Sequence, residues 1–131
     1  MTVNKIMLDT VFGSDNINSW ADLNNNGTPS EITAKVDWAI ALALSMVQSK
    51  VKPAPYLWAD ISTDPQIEYQ QAIKAGLLLY ANRRIVNEQG TSSNPYKAYE
   101  DAYDKFFKDL NGGRIALSAS RNNRPYPAVV T

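Results

Sequence analysis

Apolar residues recur at steps of three and four in three long segments of the chain, the spacing that lines one face of an α-helix. Each segment opens with a capping residue followed by proline at the first helical position, where the missing N–H leaves nothing unsatisfied. These starts are Thr28-Pro29, Asp64-Pro65 and Asn94-Pro95. Glu31 extends the first into a Thr28-x-x-Glu31 capping box, and its carboxylate also suits the positive end of the helix dipole.

The first segment predicts a helix from Pro29 to about Val51, ~34 Å long. Ile32, Val36, Ala39, Ala43 and Val47 form one stripe, Ile40 and Leu44 widen it, and the other side reads as modestly polar. Lys50 and Lys52 sit at its negative end, and Pro53 and Pro55 stop it. The second helix, Pro65 to about Val86, is less one-sided: Leu77, Leu78, Leu79 and Tyr80 are consecutive and point around much of the circumference, so it needs more than one neighbour. Gly76 costs ~1 kcal/mol against alanine in mid-helix unless another element approaches closely, which marks it as a contact point. The third helix, Pro95 to Leu110, carries Tyr96, Tyr99, Tyr103, Phe106 and Leu110 on one aromatic face. Asp101 with Lys105 and Asp104 with Lys108 are expected i,i+4 pairs on its charged face, and Asn111, Gly112 and Gly113 end it.

A short helix is expected from about Asn4 to Phe12, closed by Gly13, with a polar connection after it that Trp20 and Leu23 pin down. Beyond Gly113, Arg114 to Ser118 reads as a short extended piece and the rest as a tail broken by Pro125 and Pro127. The predicted fold is therefore all-α: a small bundle of three long helices plus a short N-terminal helix, with an extended C-terminal tail. Residues 1–118 form the helical domain and residues 119–131 the tail. There is no internal repeat.

Composition narrows the chemistry. With 131 residues the chain is one ordinary domain with room for a real core. Cysteine is absent, which removes disulfides, thiolate nucleophiles and zinc ribbons. Histidine is absent too, and with it the side chain that titrates near neutrality and the commonest metal ligand. Thirteen basic residues balance thirteen acidic ones, so no global field steers the protein toward nucleic acid or an anionic membrane. The N-terminal stretch lacks the pattern of a secretory signal, which predicts a protein made and kept inside, and the longest apolar run, Trp38 to Leu44, is far short of the ~20 residues that cross a bilayer.

Asp22-Leu23-Asn24-Asn25-Asn26-Gly27 resembles the start of a calcium loop, but the twelfth position falls on Thr33 where a bidentate carboxylate is needed. An asparagine-glycine turn leading into a capped helix explains the same residues. Asp101 with Asp104, or Glu100 with Asp104, could pair for acid–base work, yet Lys97, Lys105 and Lys108 share the face and give it the composition of a solvated surface. No catalytic residue, metal site or cofactor is therefore expected. In the segment Lys52 to Thr63, Tyr56, Leu57 and Trp58 stand between prolines, as anchors for a partner or as a plug for the open end of their own bundle. The tail holds Arg114, Arg121 and Arg124, no acid, and Tyr126 between two prolines; it reads either as terminal disorder or as a segment that orders on a neighbour.

The order of features resembles the phage head-to-tail connector proteins, also called neck adaptors or head-completion proteins. Leu8-Asp9-Thr10-Val11-Phe12-Gly13 is similar to that family's short opening helix ending in Phe-Gly, followed by a polar turn such as Asp22 to Gly27 and the long helix from Pro29. Tyr99-Glu100-Asp101-Ala102, Phe106-Phe107, Leu110, a glycine turn and Ile115-Ala116-Leu117-Ser118 are similar to its last helix and the extended piece after it. The resemblance spans about Met7 to Ser118.

It implies a homo-oligomeric ring, a dodecamer, in the virion neck, built in the host cytoplasm. The ring would bridge the portal protein to the next neck or tail component while DNA passes through without specific binding, and no membrane is involved. The second helix, apolar around much of its circumference, would then gain its second neighbour from an adjoining copy. Tyr56, Trp58, Leu78, Arg83 and Arg84 are the subunit-interface candidates. Arg121, Arg124 and Tyr126 are the candidates for docking on the portal or a neighbouring ring. The competing reading is a non-viral helical interaction module acting as a monomer or dimer.

Overall fold

The computed structural model describes residues 3–51, 57–87 and 95–117, without the side chains of 84–87. The protein is mostly helical, with no strand among the described residues. The helices run α1 (Lys5–Phe12), α2 (Ser14–Ala21), α3 (Pro29–Lys50), α4 (Trp58–Ile61), α5 (Pro65–Asn87) and α6 (Lys97–Asn111). Tyr56 and the tail residues Arg121, Arg124 and Tyr126 lie outside the described residues, as do Ser118 and the rest of the tail.

Helix α5 is the axis of the molecule and contacts α1, α2, α3 and α6. Its start is fixed by Asp64, whose carboxylate accepts from the Gln66 N–H at 2.8 Å. This is the work expected of a residue before proline at a helix start. Helix α3 lies antiparallel against α5, and Gln71 donates its side-chain amide to the Ile40 carbonyl at 3.1 Å across that contact. Val36, Ala39, Ala43 and Val47 are the stripe of α3 that α5 buries. The small residues among them let the two helices approach closely.

Gly76 is the tightest point. The ring of Phe12, from the end of α1, occupies the space beside it, and a Cβ at position 76 would fall well inside van der Waals contact with three ring carbons. Around that ring the aromatics of four helices meet. Phe12 packs on Trp20 with centroids 5.6 Å apart, Trp20 on Tyr80 at 5.3 Å, and Tyr80 on Tyr96 at 4.9 Å. All three pairs are edge-on, the arrangement that aromatic quadrupoles favour.

Several expectations need correction. The polar connection after Gly13 is a helix: Ile17, Trp20 and Ala21 of α2 are buried at steps of three and one, a stripe too short to stand out in a polar segment. Gly13 has φ 94°, which lets one helix end and the next begin at a single residue. Part of the expected loop Lys52 to Thr63 is the short α4, which buries Ile61. The Thr28–Glu31 capping box does not form; Glu31 instead accepts from Asn24 at 2.8 Å, because the loop folds back onto the first turn. Helix α6 begins at Lys97, two residues later than its proline suggests, and Asn94 lies outside the described residues.

On α6 the buried positions are Tyr103, Phe107 and Leu110, so Phe107 rather than Phe106 takes the inner place. The ion pairs run base before acid, Lys97 with Asp101 at 3.1 Å and Lys105 with Asp109 at 2.6 Å, instead of the expected Asp101–Lys105 and Asp104–Lys108. The Lys105 hydrogen bond, with Arg114 beside it, holds the Asp109 carboxyl below its ordinary value. Gly113, at φ 80°, then turns the chain out of the helix.

The consecutive leucines of α5 are accommodated by their own chain. Leu77 and Leu79 are buried, and Leu78 is half-buried against the same core. The several neighbours that its all-round apolar character calls for are supplied at these leucines by α1, α2, α3 and α6 of the same chain.

Two consequences can be measured. Gly76→Ala should destabilise the fold by about 1–3 kcal/mol in urea unfolding, since the added methyl overpacks a closed contact, and Phe12→Ala should make a subsequent Gly76→Ala nearly neutral. Tyr103 is buried with a hydroxyl that has no hydrogen-bond partner, and burial, with Asp104 adding to it, pushes its pKa from 10.0 up to about 12. Both states hold the proton at neutral pH, whereas between those two values only the folded state keeps it, so stability falls as pH rises through that window. Tyr103→Phe should stabilise the protein by about 1 kcal/mol at pH 7, and its advantage over wild type should widen by about 1.4 kcal/mol at pH 11.

Candidate functional site

The loop with the calcium-like start is closed upon itself. One Asp22 carboxylate oxygen accepts from the Asn26 N–H at 3.2 Å and the other from the Gly27 N–H at 2.9 Å. Arg83, reaching across from α5, donates to the Asp22 carbonyl and to the Asn25 side-chain oxygen, the latter at 2.7 Å. Asn25 is held at φ 57°, a left-handed conformation that asparagine tolerates. The Asp22 side chain thus caps a turn. No group of three or more acidic, histidine or cysteine residues that could hold a metal exists among the described residues.

Arg83, an interface candidate, is half-buried and committed to this loop within its own chain. Trp58 and Leu78 are partly buried and packed against the core. The Arg84 side chain lies outside the described residues.

A concave region lies between α1, α2 and the start of α3, lined by Lys5, Asn18, Asp22, Pro29 and Thr33 among others, with a volume of about 420 Å³. It opens widely to solvent and gathers no pair of facing carboxylates. The Lys5 ammonium already pairs with Asp9 at 3.0 Å, and the Asp22 carboxylate with backbone N–H groups. Nothing in this concavity is arranged to move a proton or hold a nucleophile.

The exposed surface of α3 is different. Ala34, Trp38, Ala41 and Ser45 follow one another at steps of four, three and four, so they line one stripe on the side turned away from α5. Leu42 and Leu44 flank that stripe. Trp38, Leu42 and Leu44 are 39%, 38% and 42% exposed. The Lys35 ammonium lies 3.9 Å from the centre of the Trp38 ring, a cation–π contact that steadies the indole while leaving it open to solvent. Trp38 and Leu42, one turn apart on a rigid helix and interspersed with small residues, make a surface suited to another protein, while Leu44 lies on the opposite flank.

This face escaped the sequence reading, which took the outer side of α3 as modestly polar and placed Leu44 in the buried stripe. The signal was present. Trp38 to Leu44 is an unbroken apolar run, and the reasoning applied to the consecutive leucines of α5 holds equally for it. No helix among the described residues is long and apolar enough to cross a membrane, so the run is not a span.

No family model, characterised protein or solved structure matches this chain significantly.

The loop lock yields a direct check. Arg83→Met removes both hydrogen bonds from α5 to the loop while keeping the apolar stem. It should cost about 1–3 kcal/mol in chemical denaturation. Added calcium should leave the stability of wild type unchanged, because the Asp22 oxygens are already occupied.

Proposed function

We propose that this chain is a structural subunit of a phage neck, assembling as a ring between the portal and the next neck or tail component with DNA passing through the centre. The observation that carries the reading is the outward face of α3, where Trp38 and Leu42 stand exposed one turn apart on a long rigid helix, with Leu44 exposed on its flank. A ring subunit needs such a surface on each side of its neighbour contacts, and burying these groups between copies removes apolar area from water. The order of motifs from Leu8-Asp9-Thr10-Val11-Phe12-Gly13 to Ile115-Ala116-Leu117-Ser118 supports the same family of functions by resemblance. A net charge of zero also suits a channel wall along which DNA slides, since many basic contacts to phosphate would grip it.

In this reading the subunit is a bundle of three long helices whose α5 is wrapped by its own chain and whose α3 faces the adjoining copy. The tail residues Arg121, Arg124 and Tyr126 then serve as docking groups for the portal. A single-partner adaptor outside any virion would use the same α3 face, and the mass of the assembly separates the two.

The test is solution mass of the full chain, alone and mixed with portal protein. A closed ring of many copies on the portal is expected; a complex with one or two copies, or no complex, would overturn the neck reading. Trp38→Glu combined with Leu42→Lys should leave the helical circular dichroism and the unfolding midpoint close to wild type and weaken ring assembly at least tenfold, because both side chains point away from the core.

A further inference from the structure

Between α5 and α6 runs an open groove whose walls are aromatic. Tyr69, Gln70 and Ile73 line one side and Ala98, Tyr99 and Ala102 the other, and it continues toward the start of α5 past Pro65, Gln66 and Phe106. Tyr69 is 48% exposed, although it sits beside the buried Glu68 and above the core residue Ile73. The alanines at positions 98 and 102 leave the floor shallow on the α6 side. A channel of this kind, two tyrosines and a phenylalanine over small residues, fits an extended proline-containing segment, whose rings lie flat on aromatic faces and which loses little entropy on docking.

The chain itself holds such a segment, Pro125-Tyr126-Pro127-Ala128-Val129-Val130. The route toward the groove begins in the right place. After α6 the Arg114 N–H donates to the Asp109 carbonyl at 2.8 Å, and the Arg114 guanidinium meets the Asp109 carboxylate at 3.3 Å. Asp109 lies three residues after Phe106, so the chain leaves α6 at the end of the helix where Phe106 lines the groove. From Leu117 to Pro125 an extended chain reaches ~28 Å, more than twice the ~12 Å length of the groove from Phe106 to Ala98.

We propose that the groove between α5 and α6 is occupied by the C-terminal segment Pro125 to Val130 of the same polypeptide, with Pro125 and Pro127 against Tyr69, Tyr99 and Phe106. The docked tail covers the exposed Tyr69 ring and holds its arginines near the α6 surface. This intramolecular contact concerns the isolated chain and needs neither ring nor portal; in the neck reading the tail, Tyr126 included, leaves the groove when it docks on the portal.

The natural chain has no cysteine, so a single introduced pair reports proximity cleanly. Full-length protein carrying Gln70→Cys with Tyr126→Cys is compared, in a glutathione redox buffer, with a control carrying Ser49→Cys with Tyr126→Cys. Ser49 is exposed near the end of α3, the end that meets the end of α6 through the 2.9 Å bond from the Asn111 amide to the Lys50 carbonyl. The groove pair should close an intramolecular disulfide at least tenfold more readily than the control, and adding Tyr69→Ser should bring the ratio below threefold. Equal closure of both pairs, disulfides found only between two copies, or indifference to Tyr69→Ser would each overturn the proposal.

Discussion

The seat of the Phe12 ring on Gly76 is the contact on which the rest of the molecule depends. A glycine in the middle of a long helix forgoes stability that alanine would supply, and here the absence of a side chain is what lets α1 lie close against α5. With Phe12 in place, Trp20, Tyr80, Tyr96 and Tyr99 close around it, with centroid separations of 4.9–6.1 Å. One small residue thereby brings α1, α2, α5 and the start of α6 into a common aromatic core, and fixes the end of α1 from which Gly13 turns directly into α2.

That core has a consequence for the surface. Because α1, α2, α3 and α6 all gather on α5, its consecutive leucines are covered by their own chain, and α3 is left with apolar groups on its free side. Between Trp38 and Leu44 helix α3 is apolar all round yet has neighbours on one side, so Trp38, Leu42 and Leu44 remain partly in water. The surplus apolar surface that an assembling protein needs thus lies on a peripheral helix. It does not compete with folding, and it can be changed by substitution without opening the interior.

The polar interactions place the loops rather than carry chemistry. Arg83 ties the Asp22–Gly27 turn to the far end of α5, and Gln71 ties α5 to the middle of α3. The Lys97–Asp101 pair on α6 is exposed and contributes little, whereas the half-buried Asp109 sits between Lys105 and Arg114. The one buried polar group in α6 without a partner is the Tyr103 hydroxyl, a cost the fold carries for filling the space with an aromatic ring.

Local signals in the chain were enough to establish the helical class, the start of α3 and α5 at their prolines, the end of α6 at its glycines and the special role of Gly76. These depend on backbone sterics, capping and periodicity, which act within a few residues and need no knowledge of neighbours. Periodicity could not decide between two helices with equally complete apolar girdles. Whether the consecutive apolar residues of α5 or those of α3 are enclosed depends on which helix sits at the centre, and centrality is set by contacts between residues far apart in sequence. The same limit hid α2, whose three buried residues make a helix only because Phe12 and Tyr80 are there to receive Trp20, and it hid the groove beside Tyr69, which exists only where α5 and α6 diverge.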